Sequence, residues 1–157
     1  MALRSVSRLL SNRALNQVYK RGYADEMSFT FAAGNRVFYD SKAVKQVDVP
    51  SFSGAFGILP KHVPTIAVLK PGVVSVFEND GNVNKVFVSS GTVTINEDSS
   101  VQIIAEEAAP VDNIDLSAAK DALNKAQSQL NSASTDRAKA EAAIAVEVAE
   151  AIVKAAE

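Results

Sequence analysis

The 157-residue sequence has no cysteine and a single histidine, His62. Without cysteine there is no disulfide framework, no thiol nucleophile and no thiolate-ligated metal site. One histidine rules out a multi-histidine metal site and leaves a nucleophilic triad a single candidate base. No apolar run approaches the ~20 residues that a membrane-spanning helix needs. Acid is missing from one end of the chain: residues 1–24 hold Arg4, Arg8, Arg13, Lys20 and Arg21, and Asp25 is the first carboxylate. From 115 to the end there is neither proline nor glycine.

An arginine-rich, serine-dotted, acid-free start has the composition of a mitochondrial transit peptide. On a helix, Leu3, Val6 and Leu10 fall on one side and the arginines near the other, which makes the cationic amphipathic surface that import requires. The arginines also interrupt any apolar core that a secretory signal would need. Processing is expected within Arg21-Gly22-Tyr23-Ala24, after Tyr23 or close by. The expected division is a leader at 1–23, a strand-rich domain at 24–112 and a helical domain at 113–157. The leader holds five of the 16 basic residues and none of the 18 acids, so its removal takes the net charge from -2 to -7. A body that acidic does not bind nucleic acid or anionic lipid by counterion release. A protein partner with basic loops is the expectation.

Two grammars follow. From 27 to about 111, short alternating runs such as Ser28-Phe29-Thr30-Phe31, Val86-Phe87-Val88 and Val93-Thr94-Ile95 are rich in β-branched and aromatic residues, which suits half-buried strands. Turn residues separate them: Gly34-Asn35, Asn79-Asp80-Gly81-Asn82, Ser89-Ser90-Gly91 and Asn96-Glu97-Asp98-Ser99. Asp-Gly between two valine-rich runs predicts a hairpin. Strand–turn units at this spacing predict a small β-sandwich or barrel. After Pro110 and Asp112-Asn113, alanine dominates. Asp115 or Ser117 can cap a first helix at about 117–132, with Ala119, Leu123, Ala126, Leu130 and Ala133 on one face. Ser134 or Thr135 can cap a second at about 136–156, with a stripe of Ala140, Ile144, Val148, Ala151 or Ile152, and Ala155. A short connection makes this an antiparallel hairpin. Alanine faces bury little area at ~25 cal/mol per Å², so the hairpin needs a third surface, its own β-domain or a partner.

Catalytic motifs are missing. There is no Walker-type phosphate loop, and no glycine cluster opens a helix as a dinucleotide fingerprint requires. Glu97-Asp98 and Glu106-Glu107 fall at turns and strand ends, where solvated carboxylates are expected. His62 sits between Pro60 and Pro64 in a loop, with no nucleophile elbow in the sequence to serve. No catalytic residue, metal site or cofactor is expected.

One segment is distinctive: Gly54-Ala55-Phe56-Gly57-Ile58-Leu59-Pro60-Lys61-His62-Val63-Pro64, followed by Lys70-Pro71-Gly72. Two glycines frame a tight corner and two prolines fix the backbone around His62. This pattern resembles the small central-stalk subunits of rotary F-type ATP synthases, the delta/epsilon family. The resemblance continues through Ser89-Ser90-Gly91, Ala105-Glu106-Glu107-Ala108 and the alanine-rich hairpin, and it is nearest the animal mitochondrial form.

The resemblance implies a β-sandwich of about ten strands in two sheets plus a C-terminal helical hairpin. It implies a non-catalytic rotor part, peripheral to the matrix side of the mitochondrial inner membrane. Its sandwich would pack on the gamma shaft, one end would meet the polar loops of the membrane ring, and the small mitochondrial epsilon subunit would dock on the same foot. Gly54, Ala55, Phe56 and Gly57 map onto the family's ring-facing loop, with Lys61 and His62 beside it. Bacterial members often carry an acid at the Ala55 position, so packing replaces an ion pair here. Bacterial members often bind ATP through an I-D-x-x-R-A motif at the first C-terminal helix. The matching stretch is Ile114-Asp115-Leu116-Ser117-Ala118-Ala119, with Ala118 in place of the arginine that would pair with a nucleotide. Titration calorimetry with Mg-ATP is expected to show no micromolar binding. The competing reading is a free-standing matrix β-sandwich that docks a protein through its hairpin.

Overall fold

The structure, a computed structural model, describes residues 26–157, and the expected leader at 1–23 lies outside the described residues. Alternation of apolar and polar residues decides each strand's inner face. β1 (Met27–Ala33) buries Met27, Phe29 and Phe31 between Ser28, Thr30 and Ala32. β2 (Val37–Ser51) is followed by the short β3 (Gly54–Ile58). Then come β4 (Thr65–Leu69), β5 (Gly72–Glu78), β6 (Val83–Val88), β7 (Gly91–Ile95), β8 (Val101–Ala105) and β9 (Ala108–Pro110). The expected hairpin joins β5 to β6: Gly81 takes φ 91° and donates its N–H to Glu78 O at 3.1 Å, while Asp80 Oδ1 accepts from Asn82 N at 3.0 Å.

The strands pair in the order β1-β8-β7-β4-β2-β5-β6-β9, with β3 on β2 and β1 also on β2. Among the described residues only β1 and β8 run parallel. The first four make one layer; β3, the second half of β2, β5, β6 and β9 make the other. Between them lies one apolar core to which all nine strands contribute, and Phe29, Phe31, Ile58, Leu69 and Ile103 are among its largest fully buried side chains.

About ten strands were expected, and the described residues hold nine. The reason lies in β2, 15 residues long. Its first half pairs with β1 from Val37 to Val44, and its second half pairs with β3 from Val47 to Ser51. Within the first half Ser41 takes φ 48°, opposite a break in the β1 register, and between the halves the register with β5 shifts from Val44 to Gln46. Such irregularity bends a strand sharply, so one strand passes from layer to layer where a turn would have made two.

Asp115 caps α1 (Leu116–Ser132) by accepting from Ser117 N at 2.7 Å and Ala118 N at 3.4 Å. Thr135 caps α2 (Asp136–Ala156) by accepting from Ala138 N at 3.2 Å. Each cap satisfies amides that the first turn leaves unpaired, worth about 1 kcal/mol. Ala119 and Ala126 of α1 are buried, as are Ala142 and Ala149 of α2, where small side chains let the two helices close on each other. The expected α2 stripe needs correction: Ala140 and Ile144 are exposed, Ile144 by 62%. That stripe continues into Val148, Ala151, Ile152 and Ala155, which are half-buried. Only the C-terminal half of α2 reaches the sandwich, over the layer that carries β5, so the stripe's first turns extend past it.

Candidate functional site

Gly54 to Gly57, expected as a loop, form an edge strand. β3 leaves β2 through a two-residue turn at Phe52 and Ser53, then pairs Ser51 with Gly54, Val49 with Phe56 and Val47 with Ile58. Ser51, fully buried, fixes the turn by donating its hydroxyl to Gly54 O at 2.7 Å. Of the two glycines expected at a corner, only Gly54 needs its freedom there, with φ 123°. Gly57 is a glycine for a different reason: a Cβ on it would lie 2.8 Å from Asp48 Oδ1 and 3.2 Å from Gln46 Nε2. Those two side chains are bonded to each other at 2.7 Å and lean across the strand.

Lys61 and His62 lie beyond the far end of β3. His62 N donates to Leu59 O at 3.1 Å, and Pro60 with Lys61 at φ 63° occupy the centre of that turn, the pattern of a type II turn. Lys61 N donates to Ser99 Oγ at 3.1 Å, tying this turn to the β7–β8 connection. There Asp98 accepts from Ser100 N and Oγ, which holds its carboxyl below the usual aspartate value. His62 Nδ1 lies 2.8 Å from Val63 O, and its ring sits 6.0 Å from that of Phe56. The structure therefore brings Phe56 and His62 together, while Gly54 lies at the opposite end of β3 from the His62 turn. His62 has no hydroxyl or thiol among its hydrogen-bond partners, and its contacts order a loop.

A polar cleft of about 640 Å³ opens between β2 and the β5–β6 hairpin. At its floor Glu78 accepts from Lys42 Nζ at 2.8 Å, Asn84 Nδ2 at 2.8 Å and Tyr39 OH at 3.1 Å. Arg36 stacks over Phe38 at 4.2 Å on the rim. Burial, foremost, raises the Tyr39 hydroxyl, while the bond from Lys42 lowers the Glu78 carboxyl and raises the Lys42 ammonium. Each group is committed to another, so the cluster ties three strands and leaves no free base. The unfolded chain takes up the Glu78 proton at higher pH than the folded one. This contribution is complete above the unfolded carboxyl value and disappears as pH falls through the lower, folded one. Glu78→Gln is expected to flatten the loss of urea resistance between about pH 5 and pH 3. An acid limb as steep in the variant as in the parent would contradict this.

The two broad faces of the sandwich differ. The layer containing β5 is partly covered by α2, which leaves grooves of about 480 and 370 Å³ beside it. The other layer carries two cross-strand rows: Ile66, Thr94, Gln102 and Thr30, then Val68, Thr92, Ile104 and Ala32. No residue in either row is charged. Ile66 is 78% exposed, Ile104 64% and Val68 53%. Isolated exposed apolar residues are ordinary, but a contiguous uncharged face with three large aliphatics is a candidate interaction surface. Sequence reasoning fixed on the glycine–proline segment and missed this face. Its signal was present in the outward positions of β4, β7, β8 and β1, where threonine, glutamine and aliphatics stand in place of lysine and glutamate. Among the described residues no group of three histidine, aspartate or glutamate side chains converges as a metal site.

Comparison with known proteins adds a second line. The family model for the ATP synthase delta/epsilon chain, β-sandwich domain, matches residues 26–111. That for the metazoan delta subunit of F1F0-ATP synthase, C-terminal domain, matches 114–155. Mitochondrial ATP synthase subunit delta of Caenorhabditis elegans is 48% identical over 149 residues, 88% of this chain and 91% of the relative. The Saccharomyces cerevisiae protein of the same name is 39% identical over 154 residues, 94% of this chain and 95% of the relative. A chain in the cryo-EM structure of the Euglena gracilis mitochondrial ATP synthase (OSCP/F1/c-ring) superposes with a TM-score of 0.79 at 23% identity, covering 85% of this chain and 82% of that one. One in the Tetrahymena thermophila central stalk and c-ring gives 0.64 at 14% identity, covering 84% and 97%. At those identities the structural likeness concerns the fold.

Proposed function

The chain belongs to the delta/epsilon family of ATP synthase subunits, in its mitochondrial delta branch, and from that membership we propose that it couples the membrane ring to the gamma shaft. Its relatives are a stalk subunit of the complex and not the catalytic one. The observation that carries the coupling role is the uncharged face of β1, β8, β7 and β4. A torque-bearing joint needs broad, water-excluding contact, and burying Ile66, Val68 and Ile104 against a partner contributes roughly 1.5–3 kcal/mol for each side chain fully covered. In this reading that face seats the shaft. The Gly54–Gly57 edge with Lys61 and His62 is turned toward the ring, and the small epsilon subunit docks on the same foot. The leader at 1–23 is removed, and the two units at 24–112 and 113–157 work on the matrix side of the inner membrane. An acid is missing at Ala55, so neutral packing serves in place of an ion pair there.

The hairpin in this reading is a structural element without a nucleotide. Asp115 is occupied as a helix cap, and Ala118 offers no guanidinium. Lysine cross-linking of the intact complex tests the placement. Lys61 and Lys70 are expected to link to shaft and ring subunits, and links mainly to stationary outer subunits would overturn it.

A further inference from the structure

Among the described residues β9 and β3 each pair with a single strand, and their outer edges are treated differently. β9 is three residues long and ends at Pro110, and Asn35 Nδ2 occupies the Ala108 carbonyl at 3.0 Å. Short length, proline and a side-chain plug are the devices by which a sheet edge is closed to pairing. β3 has none of them. From Val49 to Pro60 no residue is charged, and β3 itself reads Gly-Ala-Phe-Gly-Ile.

Its hydrogen-bonding pattern follows from the ladder. Phe52 N donates to Val68 O and Lys70 N to Pro50 O, so residues 50 and 52 of this stretch face β4 and residues 47, 49 and 51 face β3. On β3, Gly54, Phe56 and Ile58 therefore point back to β2, and the N–H and C=O of Ala55 and Gly57 point away from it. Both residues are exposed, and among the described residues β3 pairs with no strand but β2. Four backbone groups at the spacing of a strand are thus presented at an edge lined by hydrogen atoms and one methyl group.

We propose that β3 is an open docking edge that takes an extended, uncharged segment of a neighbouring subunit as an additional strand, bonded to the backbone of Ala55 and Gly57. Backbone pairing of this kind supplies affinity without demanding particular side chains, and glycine lets the incoming strand approach closely. The Gln46–Asp48 pair lying across Gly57 offers polar side chains beside the same edge. A second copy of this chain is the poorer occupant, because two acidic bodies set edge to edge repel each other. The inference rests on the chain's membership of the complex and not on which subunit supplies the strand.

Hydrogen exchange of the peptide covering 54–58, in the isolated full chain and in the intact ATP synthase, tests it. In the isolated chain the Ala55 and Gly57 amides are expected to exchange fast and those of Phe56 and Ile58 slowly. In the complex the first pair is expected to slow by at least ~10-fold. Ala55→Pro removes one outward donor without touching the β2 ladder. It is expected to keep the slow exchange at Phe56 and Ile58 and to reduce retention in the complex at least ~10-fold. Unchanged fast exchange in a complex that contains the chain would overturn the docking edge alone, as would full retention of the proline variant. Slow exchange in the isolated chain together with dimer formation would assign the edge to a second copy and overturn it. A chain absent from the complex would overturn the coupling role as well.

Discussion

Aspartate at Ile66 is expected to leave the isolated chain folded and to weaken its hold on the rest of the complex by at least ~100-fold, about 2.7 kcal/mol. Ile66 is 78% exposed and contributes little to the core, so its replacement costs the isolated fold about 1 kcal/mol or less. Against a partner the same carboxylate stands in the middle of an uncharged sheet, between Thr94 and the β4 neighbours, with no cation in either row to receive it. A charge desolvated without a counter-ion costs several kcal/mol. Ile104→Asp is expected to behave alike and Ile144→Asp, on the overhanging part of α2, to have less than a tenth of the effect. Retention of the subunit on the purified complex, measured with the thermal unfolding of each free variant, separates the outcomes. Normal retention of the Ile66 variant would remove this face from the interface.

Gly91→Ala is expected to destabilise the isolated chain by about 3 kcal/mol, or roughly 10 °C in midpoint. A Cβ at Gly91 would lie 2.4 Å from Ile104 O and 2.9 Å from Ala105 Cα. Both are backbone atoms of β8, paired with β7 at that point, so relief requires prising the two strands apart. Gly81 gives the control. It takes φ 91° with nothing within 4 Å of its absent Cβ, so alanine there is strained only by its backbone angle, at about 1 kcal/mol. Calorimetric or urea unfolding of the two variants checks the order, and an equal loss in both would show that β7 and β8 separate easily.

These two glycines show how much could be foreseen. Gly81 was legible because Asp-Gly between valine runs has one common use. Gly91 was legible as a turn residue, but what makes it glycine is a carbonyl of a strand ten residues further along the chain. Gly57 is similar: a corner was expected from the motif, and the cause is a pair of side chains reaching over from β2. Local pattern predicted each class of element, narrowed each helix cap to two residues and placed His62 in a loop. It did not predict β3, because five residues containing two glycines and one alanine have no strand propensity, and only pairing with Val47, Val49 and Ser51 makes them one. The Ile144 stripe failed for a related reason. Periodicity defines a helix face, whereas the distance over which another domain covers that face is a tertiary fact.

The passage of β2 from one layer into the other has a mechanical corollary. In an ordinary sandwich a sideways load crosses between sheets only through side-chain contacts, which slide past one another at low cost. Here peptide bonds run across the gap. A push delivered to β3 enters β2 through its ladder, travels along a single covalent strand, and emerges in β1 beside Ile104 on the opposite surface. The crossing between Val44 and Val47 therefore acts as a tether between the two surfaces, and cutting the chain there would loosen the joint without removing a contact from either one.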